Sequence, residues 1–399
     1  MDRLLKDIRV LDIGRYVAGP YAATILGYLG AQVIRVEKRS GGEDRYIAPL
    51  TTTPDGRPEE GGLFMQTGCG KQSLALDLSK PAGLEILHRL AGRADVVIAN
   101  LPSQFLKKIG LDRDNFNRLN PRGILVTQTC FGTRGPDSHK GGFDGVAQAM
   151  SGAMYLTGTP EHPVKAGAPY VDFSTAVFSA MGTLAALMNR EKTGEGQHVE
   201  TSLLGTALAA MNSHLAEQAV TQRDRAGTGN RVQTSAPSDV FRTRDGHILV
   251  HTVGDGMFKR WADLVGRPDL VDLPQCRGDQ NRGDHRDVLC GIMADWIGDK
   301  TTKEALGALE NAGVPSGPVL TLQEALDNPQ AAAMDVFEWV NLPGNPKPAP
   351  VAKLPVRFSS LNTEITDRPP LLGEHTHSIL KSIGYTDSDI ETFKEKRII

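Results

Sequence analysis

Asp172 stands in the run Gly167-Ala168-Pro169-Tyr170-Val171-Asp172-Phe173-Ser174-Thr175. There a loop bearing glycine and proline delivers one carboxylate to the start of a long apolar helix. A carboxylate so placed can cap the helix, accepting a hydrogen bond from a free amide of the first turn. It can also act as a nucleophile, because the positive end of the helix keeps it ionised. The two roles are compatible. Arg15 and Arg45 are candidates for pairing with a substrate carboxylate through bidentate hydrogen bonds. Lys38, Lys107, Lys108 and Lys140 follow strands or lie in loops on the ligand-facing side expected of the fold. Singly each reads as a solvated lysine; together they can hold the phosphates of a nucleotide tail.

Three further groupings carry less. Cys69, in Gly68-Cys69-Gly70, suits a small buried thiol better than a nucleophile. His375 and His377 form a His-x-His with no second cluster of ligands, so no metal is assigned. Gly254-Asp255-Gly256 is either a plain strand-to-helix turn or a functional loop. The turn from Asp12 to Pro20, with Glu37 closing the next strand, is similar to a dinucleotide-binding turn. Its glycines, Gly14 and Gly19, are five apart with Pro20 behind them, so the spacing that admits a pyrophosphate to the helix N-terminus is missing. An NAD-linked dehydrogenase is disfavoured on that ground, while a Rossmann-like site for another adenine-bearing ligand stays open.

The elements that must position these residues alternate between strand and helix over the first hundred residues, which predicts a parallel sheet with helices packed on it. Strands are expected at 8–13, 32–37, 73–78, 95–99 and 123–129, with helices at 21–29, 82–91 and 103–119. The Asp172 helix runs to Arg190, followed by a strand at 197–202 and a second long helix to about Val220. Residues 222–238 are polar and aperiodic and read as a linker, giving a large domain over 1–221 and a smaller α+β domain over 239–330. The small domain opens on a hairpin about Asp245-Gly246, continues with helices at 258–265, 286–297 and 303–312, and closes at the rigid turn 313–319. Residues 331–399, with a strand at 354–358, are too few for a third core and are expected to return to the large domain.

A chain of 399 residues with 40% hydrophobic content supports more than one core, and a net charge of −3 without charged blocks argues against nucleic acid as the main partner. No stretch reads as a bilayer span or a cleavable leader, so the expected address is the cytoplasm, with no membrane partner. Four scattered cysteines read as reduced thiols.

Taken in order, several segments resemble the class III CoA-transferases almost end to end. They are Val10-Leu11-Asp12 with Ala18-Gly19-Pro20, 29–34 with Val36-Glu37, Gly142-Phe143-Asp144 with 147–152, Asp172, Gly194-Glu195-Gly196-Gln197, 313–319 and 372–376. The resemblance implies a Rossmann-like large domain built from both chain ends, a small domain and an interlocked, ring-like homodimer. It also implies that Asp172 is the catalytic aspartate, attacking the thioester of a donor acyl-CoA. Coenzyme A contacts carried over by position fall on Val17, Ala18, Lys38, Leu76, Asp77, Leu78, Ser79, Asn100, Leu101, Pro102, Lys108, Gly141, Gly142, Phe143 and Asp144. Lys38 and Lys108 replace arginines of the family, keeping charge but losing the fork geometry. Gly254, Asp255 and Gly256 fall where the transferases carry a shielding glycine loop, here poorer in glycine than in formyl-CoA transferase.

Phe143 occupies the position of the racemase branch's histidine, and a phenyl ring exchanges no proton, so racemisation is disfavoured. The expected activity is CoA transfer from a donor such as succinyl-CoA to a C4–C5 dicarboxylate such as mesaconate, itaconate or citramalate. The stretch 252–261 carries that lean. The alternatives are acyl-CoA isomerisation, including an intramolecular CoA shift or racemisation, formyl-CoA:oxalate transfer, and noncatalytic CoA binding.

Overall fold

The computed structural model describes residues 3–52, 58–343, 345–361, 363 and 367–399. It divides into two compact units, one of residues 1–151, 167–211 and 332–399, the other of 152–166 and 212–331. The expected boundary at 221 therefore falls elsewhere. The second helix is in fact two, Leu203–Ala210 in the first unit and Asn212–Thr221 in the second.

The first unit carries six parallel strands: β1 (Arg9–Asp12), β2 (Gln32–Glu37), β3 (Gln72–Ala75), β4 (Val96–Ala99), β5 (Ile124–Thr129) and β6 (His198–Ser202). They lie in the order β3-β2-β1-β4-β5-β6. That is the doubly wound order, in which the chain changes direction between β1 and β4 and leaves a crevice at their carboxyl ends. The central strands β4 and β5 are short runs rich in Val, Ile and Leu and buried on both faces, as the middle of a covered parallel sheet requires, while the edge strands β3 and β6 are more polar and only partly buried. Helix α1 (Ala18–Tyr28) is buried along its whole length. It packs beside α2 (Tyr170–Thr193), whose sheet-facing side is narrow: Thr175, Ala176, Ser179, Ala180 and Thr183 are all buried. Each buried hydroxyl on that side bonds a carbonyl or another hydroxyl, so close approach leaves none unsatisfied. This helix, 24 residues long, corrects the expectation that no segment is long and apolar enough to cross a bilayer, by length and composition.

Three local expectations also change. The helix expected over 103–119 breaks into Ser103–Lys108 and Arg113–Leu119 at Gly110, which adopts φ +69°, with Asp112 capping the second piece. The C-terminal strand is Ala349–Ala352, paired antiparallel with Phe337–Val340, and 354–358 is irregular, since Pro355 has no amide to continue the ladder. In the second unit the turn at 313–319 contains a strand, Ser316–Pro318, which joins Asp239–Arg242 and His247–Val250 in a three-stranded antiparallel sheet. Its core is Phe258, Trp261, Leu289, Met293, Ile297 and Leu309.

Below the carboxyl ends of β1 and β2 lies a buried charge network. Asp12, Glu37, Asp44 and Glu60 face Arg35, Arg45 and Lys71, all buried. Lys71 Nζ reaches Asp12 at 2.8 Å, Arg35 reaches Asp44 at 2.6 Å, and Arg45 bonds Glu37 at 2.6 Å, Glu60 at 3.0 Å and the carbonyl of Pro370 at 2.9 Å. The last bond ties the C-terminal return to the sheet, as do Ser73 and His375 across the outer edge of β3. Burial pushes the Asp44 carboxyl up, whereas Lys71 and Arg35 hold Asp12 low against its own burial. Four carboxyls here face three cations, and Asp44, whose Oδ1 has no partner, is the one whose ionisation burial opposes. Asp44→Asn is therefore expected to cost little stability, while Arg45→Ala, which takes a buried cation from Glu37 and Glu60, should cost roughly 3–5 kcal/mol. Urea unfolding separates the two; an Asp44→Asn loss as large as that of Arg45→Ala would mean that Asp44 is ionised in the folded protein.

Candidate active site

The crevice at the change of direction is held shut at its base by Asn100, just after β4. Its Oδ1 accepts the amide of Arg15 and its Nδ2 donates to the carbonyl of Arg15, both at 2.6 Å. This double bond fixes the loop after β1 and leaves Tyr16 at φ +60°, a conformation that a bulky side chain rarely adopts. The Tyr16 ring meets Phe143 edge-on, centroids 5.3 Å apart, and Phe143 is 60% exposed. Val17 and Ala18 begin α1, buried; the Ala18 carbonyl accepts from Gln128, which also donates to Ser179 of α2.

Two helix starts meet here and share one carboxylate. Asp144 opens the short helix Asp144–Met150, and its Oδ2 accepts the amides of Val171 at 2.8 Å and Asp172 at 3.1 Å, the first turn of α2. Four amides at a helix start lack intrahelical partners, and Asp144 supplies the acceptor for two of them. The cap that Asp172 was expected to provide thus comes from a residue 28 positions upstream. Pro169 is the N-cap, and Asp172 lies within the first turn. Its own carboxylate receives no hydrogen bond among the described residues. Burial, and then the Asp144 charge, push Asp172 up to about 7, which overturns the expectation that the helix start alone keeps it ionised. The same surroundings push the neighbouring Cys130 thiol up to about 11, through burial and the Asp172 carboxylate. Gly142 lies so close to Cys130 that a Cβ would stand 2.4 Å from Sγ, so only glycine lets the loop before Asp144 descend to this depth.

The remaining expected contacts are spread around this centre. Lys38 is exposed and bonds Glu43 at 2.6 Å; Arg15 also pairs with Glu43. Although partial burial pulls it up, hydrogen bonds from Arg15 and Lys38 hold Glu43 down at about 2. Leu76 is in the core, and Asp77 Oδ1 accepts from both the amide and hydroxyl of Ser79, shaping the turn before the helix that starts at Pro81, with Leu78 partly buried inside it. Leu101 and Pro102 lead into Ser103–Lys108, which places Lys108 in an exposed last turn. Gly141 has open space about it. Arg45 is corrected: it is buried in the network beneath the site, 3.9 Å above the Phe64 ring, and faces no substrate. Gly254, Asp255 and Gly256 belong to the second unit; the Gly254 amide donates to Asp279 and Asp255 pairs with buried Arg282. Cys69 donates to the Met65 carbonyl and is pushed up to about 12 by burial. His375 bonds the edge strand and His377 pairs with Asp387.

Sequence reasoning missed Tyr16, Gln128, Cys130 and Glu43. Glu43 had a visible signal, an acid directly after Gly41-Gly42 and five residues from Lys38. The other three are placed by contacts distant in sequence.

Residues 5–376 match CoA-transferase family III. The chain is 31% identical over 389 residues, 95% of each chain, to the succinate–glutarate CoA-transferase of Agrobacterium fabrum. It is 31% identical over 403 residues, covering all of this chain and 98% of the relative, to the succinyl-CoA–D-citramalate CoA-transferase of Chloroflexus aurantiacus. A CAIB/BAIF family protein of Brucella suis has the same fold, with a TM-score of 0.82 and 28% identity over 94% of this chain and 98% of that one.

A carboxyl whose folded pKa is raised from 3.8 to about 7 removes stability as the pH rises through that window, because the unfolded chain then binds fewer protons than the folded one. The loss is complete above about 7 and absent below 3.8. Asp172→Asn is accordingly expected to melt higher than wild type at pH 8, the gap closing as the pH falls toward 5. A constant gap across that range would show that Asp172 is not perturbed.

Proposed function

Because the chain belongs to CoA-transferase family III, we propose that Asp172 is its nucleophile and that it carries CoA from succinyl-CoA to a C4–C5 dicarboxylate. The observation that carries this reading is a half-buried Asp172 carboxylate at a helix start, with its amide held by Asp144 and its oxygens committed to no hydrogen bond among the described residues. Such a group is poorly solvated and correspondingly reactive once ionised. One oxygen attacks the donor thioester carbon; the C–S bond breaks, giving a mixed anhydride and CoA thiolate. The thiolate attacks the Asp172 carbonyl, releasing the donor acid as its carboxylate and leaving an aspartyl-CoA thioester. The acceptor carboxylate then attacks that thioester, and the returning thiolate takes the acceptor's acyl carbon, freeing Asp172. No step consumes or releases a proton, so the ionisation of Asp172 sets the acid limb of kcat/KM, expected near pH 7.

CoA is placed along Val17, Ala18, Lys38, 76–79, 100–102, Lys108 and 141–144, with its reacting end toward Asp172. The acceptors in the names of the Agrobacterium and Chloroflexus relatives, glutarate and D-citramalate, support a dicarboxylate acceptor. With Arg45 buried, Arg15 is the arginine left to read the distal carboxylate. A homodimer is supported by the outer face of α2, where Val177, Phe178, Met181 and Met188 are exposed.

Asp172→Ala and Asp172→Asn are expected to lose CoA exchange by at least about a thousandfold while still binding CoA; near wild-type transfer by either would end the covalent reading. Arg15→Ala should lower kcat/KM for glutarate about tenfold or more against a small change for butyrate, and equal losses would remove Arg15 from the acceptor site. Light scattering should give twice 43.0 kDa; a monomer at micromolar concentration would reject the dimer.

A further inference from the structure

Three side chains at the mouth of the crevice form a cluster, and the transfer chemistry gives its carboxylate, Glu43, no role. Arg15 follows β1, Lys38 follows β2, and both reach the same carboxylate, Glu43. Arg15 bonds Oε2 and Lys38 bonds Oε1, so each cation takes one oxygen. All three are about half exposed, at 42%, 52% and 43%. Among the described residues neither cation has another acidic partner, whereas the cations just below, Arg35, Arg45 and Lys71, are buried and each pairs with other carboxylates. The residues after Glu43 are anchored: Asp44 and Arg45 are fixed in the buried network, so the backbone presenting Glu43 is rigid and only its side chain can swing away.

We propose that Glu43 is a built-in counter-anion, occupying in the free enzyme an oxyanion subsite made by Arg15 and Lys38, and that substrate binds by displacing it. This rests on the reading that Arg15 and Lys38 face the substrates. A carboxylate bridging two cations copies, oxygen for oxygen, what a phosphate or a ligand carboxylate would offer them. Exposed ion pairs are individually weak, so a ligand bearing its own oxyanion and further contacts displaces the plug readily. Until displaced, the plug lowers apparent affinity by the fraction of molecules in which it is seated. It also keeps two solvent-facing cations from collecting unrelated anions, so Glu43 acts on selectivity as well as affinity. The shared chemistry is an oxyanion, and it has two sources: the phosphates of CoA at Lys38 or the distal carboxylate of the acceptor at Arg15.

Calorimetric titration of wild type and Glu43→Gln with CoA alone and with glutarate alone, at low salt, tests this. Glu43→Gln is expected to bind one of them roughly three- to tenfold more tightly. Tighter CoA identifies the phosphates, and tighter glutarate the carboxylate. The gain should vanish in Lys38→Gln/Glu43→Gln for the phosphate source, or in Arg15→Gln/Glu43→Gln for the carboxylate source. Unchanged or weaker binding of both ligands would overturn the proposal, and weakening is the sign that a merely structural Glu43 would give. Neither titration needs a nucleophile, so repeating both in the Asp172→Ala background keeps this outcome separate from any failure of the covalent mechanism.

Discussion

The bond from the buried carboxylate of Asp144 to the amides of Val171 and Asp172 is the constraint on which the site depends. One charge serves two helix starts. It stabilises both, because an anion is favoured where unpaired amides converge. The same charge lies beside Asp172 and opposes its ionisation, so the interaction that positions this carboxyl also adds to its proton affinity. Asp144 thus holds Asp172 in place and adds to the burial that is the larger cause of its raised pKa. Gly142 completes the arrangement from the other side, since a Cβ there would collide with Cys130 two residues before Asp144.

Everything beneath this point is built to keep it still. The α2 helix lies close to the sheet through alanines and hydrogen-bonded hydroxyls, and α1 is buried on all sides against it. Asn100 locks the loop after β1 through the amide and the carbonyl of one residue, Arg15, and the network of Asp12, Arg35, Glu37, Asp44, Arg45, Glu60 and Lys71 pins the loop after β2. The exposed groups left over at the mouth, Arg15, Lys38 and Glu43, stand on rigid supports and move only as side chains.

The sheet was legible because its strands are short runs of β-branched and aliphatic residues, each bounded by helical pattern or turn. Runs such as Val96-Val97-Ile98-Ala99 admit little else once helices flank them. Asp172 was legible as a residue but not in its environment. A one-dimensional reading assigns an acid at a helix start to capping, and nothing local says that Asp144 already holds those amides. Arg45 shows the same limit from the other side: a charged residue in a glycine-bearing loop reads as exposed, and only Glu37, Glu60 and the carbonyl of Pro370 together make its burial tolerable. Gly110 lies inside the stretch 103–119 that reads as one helix, and its positive φ separates the two pieces. Pro355 would likewise have argued against its strand.

The central claim is that Asp172 becomes covalently acylated. Wild-type protein mixed with succinyl-CoA and quenched with hydroxylamine tests it most directly, because an anhydride or aspartyl thioester is converted to a hydroxamate and a free carboxylate is not. Peptide mass spectrometry should find the hydroxamate on the peptide bearing Asp172, dependent on the donor. An unmodified Asp172 with adduct on Cys130 or Cys69, or no adduct at all during active turnover, would contradict the account.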